Sequence, residues 1–322
     1  TRRSDGKDVQ VVLLDSVASQ ANRMEEALLA AWERKQLDFP VIGVDFSGDP
    51  ELADIGTITS LQAPHRIADA ILRDATNEEG TQLFRDTAAG QAYTDATIRN
   101  ATAVYQLCPT ALVFGVWDST GPKGGLGAKF QRLLTSEIVG IGATHGSKVG
   151  SRIDPLAIQA SVPVYHRADD ESDWTIDEGE AKKEKGKPVP FSRKGSEGKG
   201  KPSAINHSNV APSIDAYAGG ITFEYAEQVT VLSLPALRRL RFQTTVDGRR
   251  LEGADRAKAE RAARTALAAL ALTAVTALRE TGFDLRSRCA LVPESRFSLE
   301  IVPAEGGGST NVALSAADAR SL

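Results

Sequence analysis

The longest periodic segment of this 322-residue chain runs from Ala254 to Thr281 and is rich in alanine. Ala263, Leu267 and Leu278 recur at helical spacing, so they share one face of a predicted amphipathic helix. Gly282 follows the segment and suits the position that ends such a helix. The rest of the chain must supply a second layer against which this apolar face packs.

The chain opens with a predicted strand and a second predicted helix. The apolar run from 9 to 14 predicts a buried strand. A polar turn follows, and Asn22 and Glu25 have capping-box spacing, which predicts that the helix begins at this point. Alternating apolar residues after Gly219 and from 297 to 302 predict further strands. This order predicts an α+β fold, with a ferredoxin-like or RRM-like core carrying large insertions.

Three shorter segments are assigned from local pattern. The apolar runs 111–117 and 237–242 predict strands. A helix is predicted to begin near Pro64, because proline suits the first helical position. Residues 129–140 are compatible with either a helix or a strand.

Composition and charge narrow the class of protein. The chain is 41% hydrophobic, which is enough for a sizeable core. No apolar run approaches the roughly 18 residues of a membrane span, and the first residues lack a signal-peptide core. Cys108 and Cys289 are far apart, which indicates no disulfide framework. We therefore expect a cytoplasmic protein without membrane contact. The net charge of −4 means that any site for a polyanion must be a local positive patch.

The middle of the chain changes composition abruptly. Residues 169–180 carry seven acidic side chains, and residues 182–201 carry eight basic ones among glycines and prolines. This pattern predicts a flexible basic segment over 181–202, within an insertion of about 150–220. The segment is interpreted either as a solvated linker or as an arm that contacts phosphates or an acidic surface.

A glycine-rich stretch, FGVWDSTGPKGGLGAKFQR, spans residues 114–132. It lacks the G-x-x-x-x-G-K-[ST] pattern of a P-loop, because Ala128 separates Gly127 from Lys129. The G-x-G-x-x-G pattern is also missing. Backbone N–H groups and basic side chains can nevertheless hold phosphates without reading sequence. The stretch therefore predicts contact with a phosphodiester backbone or a plain glycine-rich turn.

No catalytic constellation is evident from the sequence. The four histidines have no partner at metal-ligand spacing, and no G-x-S-x-G motif is present. Asp15, Asp118 and Asp154 lie beside predicted loops, but their spacing assigns them no paired role. Two further polar clusters, 151–155 and 205–209, mix hydrogen-bond donors with loop-forming residues. Donor-rich loops without a catalytic group indicate a binding surface, so we expect no metal and no cofactor.

Several long motifs resemble those of one known family, both in their order along the chain and in their amino-acid sequence. They are DSVASQANRMEEALL, LQAPHRIADAILRD, FGVWDSTGPKGGLGAKFQR with SEIVGIGA, GSRIDPL and ITFEYAEQVTVLSLPALRRLRF. The family is the backbone subunit of the type I-G (formerly I-U) CRISPR Cascade surveillance complex, within the RAMP superfamily. The resemblance runs from Asp15 to about Val302 and is weakest over 169–201.

The resemblance implies a modified RRM-like palm, one domain over 1–322 split by insertions that include a thumb-like hairpin. It implies several copies arranged head to tail in a helical assembly along a CRISPR RNA, which they present for pairing with a target DNA strand. Other partners would be the guide-end-capping and large subunits of Cascade. The subunit would bind RNA and cut nothing. Such a protein must hold any guide, so it should contact phosphate and sugar instead of base edges. No aromatic residue is expected to crowd the grip loops.

The resemblance also suggests which residues contact RNA. Those at the start of the first helix would hold one phosphate, those in the glycine-rich stretch would hold the next, and those in the two polar clusters would belong to the grip or the thumb. The candidates are Ser19, Gln20, Asn22 and Arg23; Thr120, Lys123, Lys129 and Arg132; Ser151, Arg152, Asn206 and His207; and Arg66.

Two alternatives remain at this point. A loop aspartate, Asp15, Asp118 or Asp154, would cleave target RNA if the chain worked like the backbone subunits of type III complexes. The second alternative is a mononucleotide-binding protein whose site is the glycine-rich stretch. The broken P-loop pattern argues against it.

Overall fold

The computed structural model divides the chain into two compact units. It describes residue 6 and residues 8–77, 79–119, 127–192 and 198–322. The first unit comprises Thr1–Val12 and Ile141–Tyr225, a range that contains the 150–220 insertion. The second unit comprises Leu13–Gly140 and Ala226–Leu322.

Helices and short antiparallel sheets both contribute, so the expected α+β class is confirmed. The helices are α1 Val17–Glu33, α2 Ala70–Arg73, α3 Ala88–Thr94, α4 Thr102–Leu107, α5 Pro109–Phe114, α6 Leu234–Arg239, α7 Gly253–Thr281 and α8 Ala316–Ser321. The strands are β1 Val11–Asp15, β2 Gly43–Asp45, β3 Thr57–Thr59, β4 Val116–Trp117, β5 Lys129–Phe130, β6 Leu134–Ile141, β7 Thr144–His145, β8 Lys148–Arg152, β9 Tyr165–His166, β10 Trp174–Thr175, β11 Lys183–Glu184, β12 Lys187–Pro188, β13 Val210–Asp215, β14 Ile221–Thr222, β15 Tyr225–Leu232, β16 Phe283–Arg286, β17 Cys289–Leu291, β18 Leu299–Ile301 and β19 Thr310–Val312. Short 3-10 turns occupy Ala53–Ile55, Arg66–Ala68, Phe84–Asp86 and Pro202–Ile205.

Two long helices form the core of the second unit. α1 packs against α7, and a three-stranded sheet has the order β1-β6-β15. Met24 and Leu28 of α1 and Leu267 of α7 are buried in this core. The predicted helix 254–281 is confirmed. Gly282 follows it at φ +82°, a conformation that glycine adopts without steric cost.

α7 also corrects an expectation about apolar runs. By length and composition it is apolar enough to cross a membrane over an 18-residue window, half of which is buried inside the structure. Leu267, Ala271 and Ala274 of this helix lie in the core. Its apolar side chains are therefore explained by packing within the second unit.

Both short segments that predict strands prove partly helical. Residues 109–114 form α5, which starts at Pro109, so the predicted strand survives only as β4. Residues 234–239 form α6, whose N-cap Ser233 accepts a hydrogen bond from the Ala236 N–H at 3.2 Å. In both segments a proline stands in the first turn, where its fixed φ favours a helix. Periodicity is a weak guide over so few residues.

The first unit has its own small core and a two-stranded ribbon. β8 pairs antiparallel with β13, with Arg152 opposite Val210. The core contains Val164 and Phe191, both buried, with partly buried Trp174 packed against them. Phe191 lies in the segment 181–202 that was predicted to be flexible.

The described part of that segment is anchored and does not form a free arm. β11 and β12 pair with each other, and Phe191 donates its backbone N–H to Val164 at 2.8 Å. The acidic stretch before it is also engaged locally. Arg167 pairs with Asp169 at 2.8 Å, and Lys182 pairs with Glu171 at 2.8 Å. Buried Phe191, strand pairing and backbone hydrogen bonds together anchor a segment whose composition indicated no core.

Replacing Phe191 by alanine should destabilise the first unit, because the change leaves a cavity that costs about 3–5 kcal/mol. Native-state hydrogen exchange should show faster exchange at amides within 141–225. The matched control is Tyr217→Ala, an aromatic residue of the same unit that is 76% exposed. Equal exchange in the two variants would mean that Phe191 does not anchor its segment.

Candidate nucleic-acid interface

The first helix begins earlier than its sequence suggests. Ser16 is its N-cap, and the Ser16 Oγ accepts the Ser19 N–H at 3.2 Å. The predicted capping box is wrong, because Asn22 and Glu25 both lie inside α1. Ser19 and Asn22 therefore occupy the first two turns of the helix and not a turn before it. Asn22 is exposed, and Ser19 is half-buried.

Gln20 is fully buried and belongs to a polar network inside the protein. Its Nε2 donates to Asp15 Oδ2 at 2.5 Å. Its Oε1 accepts hydrogen bonds from Ser136 Oγ and Gln228 Nε2, each at 2.9 Å. Both ends of the amide are occupied, which leaves no surface for RNA. Gln20 is therefore a structural residue of the core.

Arg23 is half-buried and anchored at three points. Its Nε donates to Asp15 Oδ2 at 3.1 Å, and its Nη2 donates to the Leu285 carbonyl at 2.7 Å. A longer bond of 3.3 Å reaches the Asp284 carbonyl. Arg23 thus fixes α1 against β16. Any contact with RNA would use only the part of the guanidinium that remains accessible.

Arg66 is buried in an ion pair with Glu25. Its Nε and Nη2 donate to the two carboxylate oxygens at 2.6 and 2.7 Å, and its Nη1 donates to the Gly115 carbonyl at 3.0 Å. The helix predicted near Pro64 begins only at Ala70, and Arg66 lies in the 3-10 turn before it with φ +54°. That conformation costs a non-glycine residue about 1–2 kcal/mol. Arg66 is therefore a core residue, and we exclude it from the interface.

Burial also perturbs the partner of Arg66. Desolvation raises the pKa of Glu25 to about 7, while the charge and hydrogen bonds of Arg66 act in the opposite direction. Burial opposes the carboxylate more strongly than one guanidinium supports it. The pair depends on its geometry, because either charge alone would be buried without compensation.

The glycine-rich stretch is the connection of a short hairpin. β4 pairs antiparallel with β5, with Val116 opposite Phe130 and Trp117 opposite Lys129. The Asp118 N–H donates to the Ala128 carbonyl at 2.9 Å and closes the base of the connection. Thr120 and Lys123 lie outside the described residues. Residues 129–140, which the sequence left as either helix or strand, contain the strands β5 and β6.

Two cations of this hairpin face solvent. Lys129 and Arg132 are exposed, and neither forms an ion pair with another described residue. The Lys129 Nζ lies 4.6 Å from the centre of the Trp117 ring. Trp117 is 55% exposed, so the expectation that no aromatic residue lies among the grip loops is wrong.

A cleft of about 450 Å³ adjoins the hairpin within the second unit. Ile98, Phe130 and Leu240 form part of its apolar lining, and Thr97 and Lys129 contribute polar groups. Its volume lies in the range of small-molecule sites. The cleft is therefore a place where the mononucleotide alternative can be tested, although the P-loop pattern is missing.

The two polar clusters of the first unit come together. Arg152 donates to the carbonyl oxygen of Asn206, and the His207 Nδ1 lies 2.9 Å from Asp154 Oδ2. The pairing of β8 with β13 brings these distant segments side by side. Ser151, Arg152 and Asn206 are exposed, and His207 is half-buried.

Asp154 organises this cluster. Its carboxylate, which is fully buried, accepts the Leu156 and Ser208 N–H groups at 2.8 and 2.7 Å. The Asn209 side-chain oxygen accepts the Asp154 N–H at 2.6 Å. Although burial alone would raise the pKa of Asp154, the hydrogen bonds from His207, Leu156 and Ser208 hold it below its usual value. Asn209 is a positioning residue, which the sequence placed in the polar cluster 205–209 but not among the candidate contacts with RNA.

A third cluster was missed by the sequence reasoning. Glu260 accepts hydrogen bonds from Arg241, Arg256 and Arg264 at 3.0, 3.0 and 2.8 Å. One carboxylate among three guanidiniums leaves a local surplus of positive charge at this cluster. The four-residue spacing of Arg256, Glu260 and Arg264 along α7 was the available signal.

The three aspartates of the nuclease alternative are all engaged. Asp15 binds Gln20 and Arg23, Asp154 holds its own cluster together, and Asp118 pairs with Arg73 at 3.5 Å. Within the described ranges, no group of three or more histidine, cysteine or acidic side chains could hold a metal ion.

Part of the chain matches a known family. Residues 1–145 match the family described as CRISPR-associated protein GSU0053. This match indicates a CRISPR-associated protein and supports a role in CRISPR defence. It covers α1 and the β4–β5 hairpin but ends before the Asp154 cluster. The comparison with curated proteins found no match.

Replacing Arg66 by leucine should lower the free energy of unfolding by about 3–5 kcal/mol near neutral pH, because Glu25 would stay buried without its partner. The loss should shrink at about pH 5. Arg66 lowers the pKa of Glu25 by its charge and hydrogen bonds, so that pKa rises further in the variant. Folded Glu25 of the variant then keeps a proton that unfolded Glu25 releases, so the stability of the variant falls as the pH rises. Urea unfolding at both pH values measures this. The control Glu25→Leu/Arg66→Leu buries no charge and should recover much of the loss, whereas an equally large and pH-independent loss would contradict the account.

Replacing Asp154 by alanine should loosen the first unit, because the Leu156 and Ser208 N–H groups and His207 would lose their acceptor. Trypsin should then cleave within 141–225 more quickly. Asp154→Asn keeps the shape of the side chain and should be cleaved at an intermediate rate. In the intact protein the contribution should persist above the usual aspartate pKa of 3.8 and disappear as the pH falls through the lower folded value. Unchanged cleavage in Asp154→Ala would show that the cluster does not stabilise the unit.

Proposed function

We propose that this chain is the RNA-binding backbone subunit of a type I-G CRISPR effector complex of the RAMP superfamily. Several copies would polymerise head to tail along one guide RNA and present it to a target DNA strand. The guide-end-capping and large subunits of Cascade would be the other protein partners. The chain would act by binding, and other components would cut the target.

The family match over residues 1–145 is the observation that carries the proposal. Within that range, the β4–β5 hairpin presents Lys129 and Arg132 to solvent. Exposed cations on a glycine-rich hairpin suit phosphates of any sequence. Asn22 of α1 is a third exposed group in the matched range.

The order of elements along the chain supports the proposal of an RRM-like palm carrying an inserted thumb. Along the chain, the second unit contributes β1, α1, β6, β15 and α7, and α1 packs against α7. In this proposal the second unit is the palm. The first unit, with its β8–β13 ribbon, supplies the thumb-like insertion, and Ser151, Arg152, Asn206 and His207 belong to it.

The double variant Lys129→Ala/Arg132→Ala should reduce the guide RNA that co-purifies with the chain when it is expressed with its CRISPR array and partner subunits. Each lost contact to single-stranded RNA removes about 0.7 from the slope of log affinity against log salt concentration. The slope for RNA binding should therefore fall by about 1.4. The matched control is Arg34→Ala/Lys258→Ala, which removes one exposed arginine and one exposed lysine of the same unit.

Sequencing of the bound RNA decides between the proposal and its alternatives. Guide RNA of uniform length, reduced by the hairpin variant and not by the control, would support the backbone role. Protein that carries no RNA even with its partners present would overturn it, and ATP and GTP should then be tested against the cleft beside Lys129. Metal-dependent cleavage of a complementary RNA would favour the nuclease alternative instead.

A further inference from the structure

Trp117 occupies an unusual position for a tryptophan. It stands on the outward side of the two-residue strand β4, whereas its neighbour Val116 is buried, as is Phe130, which lies opposite Val116. Tryptophan is buried to a large extent in most proteins, since its large apolar ring gains most from leaving water. Here 55% of the residue is exposed, even with Lys129 directly across the hairpin.

Lys129 stabilises the exposed ring without covering it. An ammonium 4.6 Å from the ring centre is within cation–π range, so it is attracted to the electron-rich face of the ring. The contact orders the ring and keeps a positive charge beside it. The hairpin thus presents an accessible aromatic surface and an ammonium next to each other.

This pairing matches the chemistry of a single nucleic-acid strand. A nucleobase stacks on an aromatic face, and the adjoining phosphate takes a cation. Arg132, which is also exposed, adds a second cation close by in sequence. An apolar protein partner would use the ring but would gain nothing from two cations that have no ion-pair partner among the described residues.

We propose that Trp117 is a stacking platform for one nucleobase of the bound RNA strand, and that Lys129 contacts the phosphate beside that base. The site adds a base contact to a surface that otherwise holds phosphates. It remains tolerant of sequence, because every base has a π face. The inference rests on the proposed RNA-binding function and names the contact that this hairpin makes.

The test compares two oligomers of equal length on the full chain: single-stranded oligouridine, and an abasic ribose-phosphate strand with the same number of phosphates. Trp117→Ala should weaken binding of oligouridine by roughly 5- to 100-fold and leave the abasic strand unaffected. Lys129→Ala should weaken both and reduce the salt dependence. Trp117→Phe should keep most of the affinity, because the smaller ring still stacks.

The fluorescence of Trp117 tests the same contact without the alanine variant. The chain has three tryptophans, and Trp32→Phe/Trp174→Phe leaves Trp117 as the only one. Stacking should quench its emission when oligouridine binds, and the abasic strand should leave the emission unchanged.

The outcomes separate this inference from the proposed function. Equal oligouridine affinity for the wild type and Trp117→Ala, without quenching, would overturn the stacking platform and leave RNA binding intact. No binding of either strand by the wild type would overturn both. Trp117→Ala protein that binds RNA normally but no longer self-associates would show that a second copy of the chain covers the ring, which also overturns the inference.

Discussion

Arg66 joins three segments that the chain keeps far apart. Its guanidinium binds both carboxylate oxygens of Glu25 in α1 and the carbonyl of Gly115, while its backbone forms the turn before α2. Gly115 is the residue immediately before β4, so the ion pair fixes the point from which the hairpin leaves the core. Gly115 has φ +82°, and a Cβ there would lie 3.0 Å from the Arg132 side chain. The position of Lys129 and Trp117 therefore depends on the buried Arg66–Glu25 ion pair.

The candidate residues divide into two groups: some join elements inside the protein, and others face solvent. Polar side chains at the start of α1 serve mainly to join elements, as Gln20 and Arg23 do through Asp15. Side chains on hairpins and strand ends point to solvent, as Lys129 and Arg152 do. A buried polar group must find an internal partner, whereas a hairpin connection needs few side-chain contacts to hold its shape. In the proposed function, surface contacts with RNA are therefore expected on the hairpin and the ribbon end.

The sequence predicts this fold best where the pattern is long. Helix 254–281 was recognisable because many turns repeat one apolar face, whereas α6 was mistaken for a strand because six residues cannot show a period. The sequence revealed the two polar clusters of the first unit. It did not reveal that the pairing of β8 with β13 brings them side by side, since strand pairing is a long-range property. Gln20 and Arg66 were selected by residue type alone. Residue type does not reveal whether a polar group faces water or an internal partner.

Net charge is a poor guide to this surface for a related reason. The chain is acidic overall, at −4, yet several of its carboxylates are neutralised by direct partners. Glu25 is matched by Arg66, and Glu260 is outnumbered by three arginines. A neutralised pair contributes little field at a distance, so the potential near the hairpin follows from cations that have no such partner. Lys129 and Arg132 are of that kind among the described residues, which allows a locally positive surface on an acidic protein.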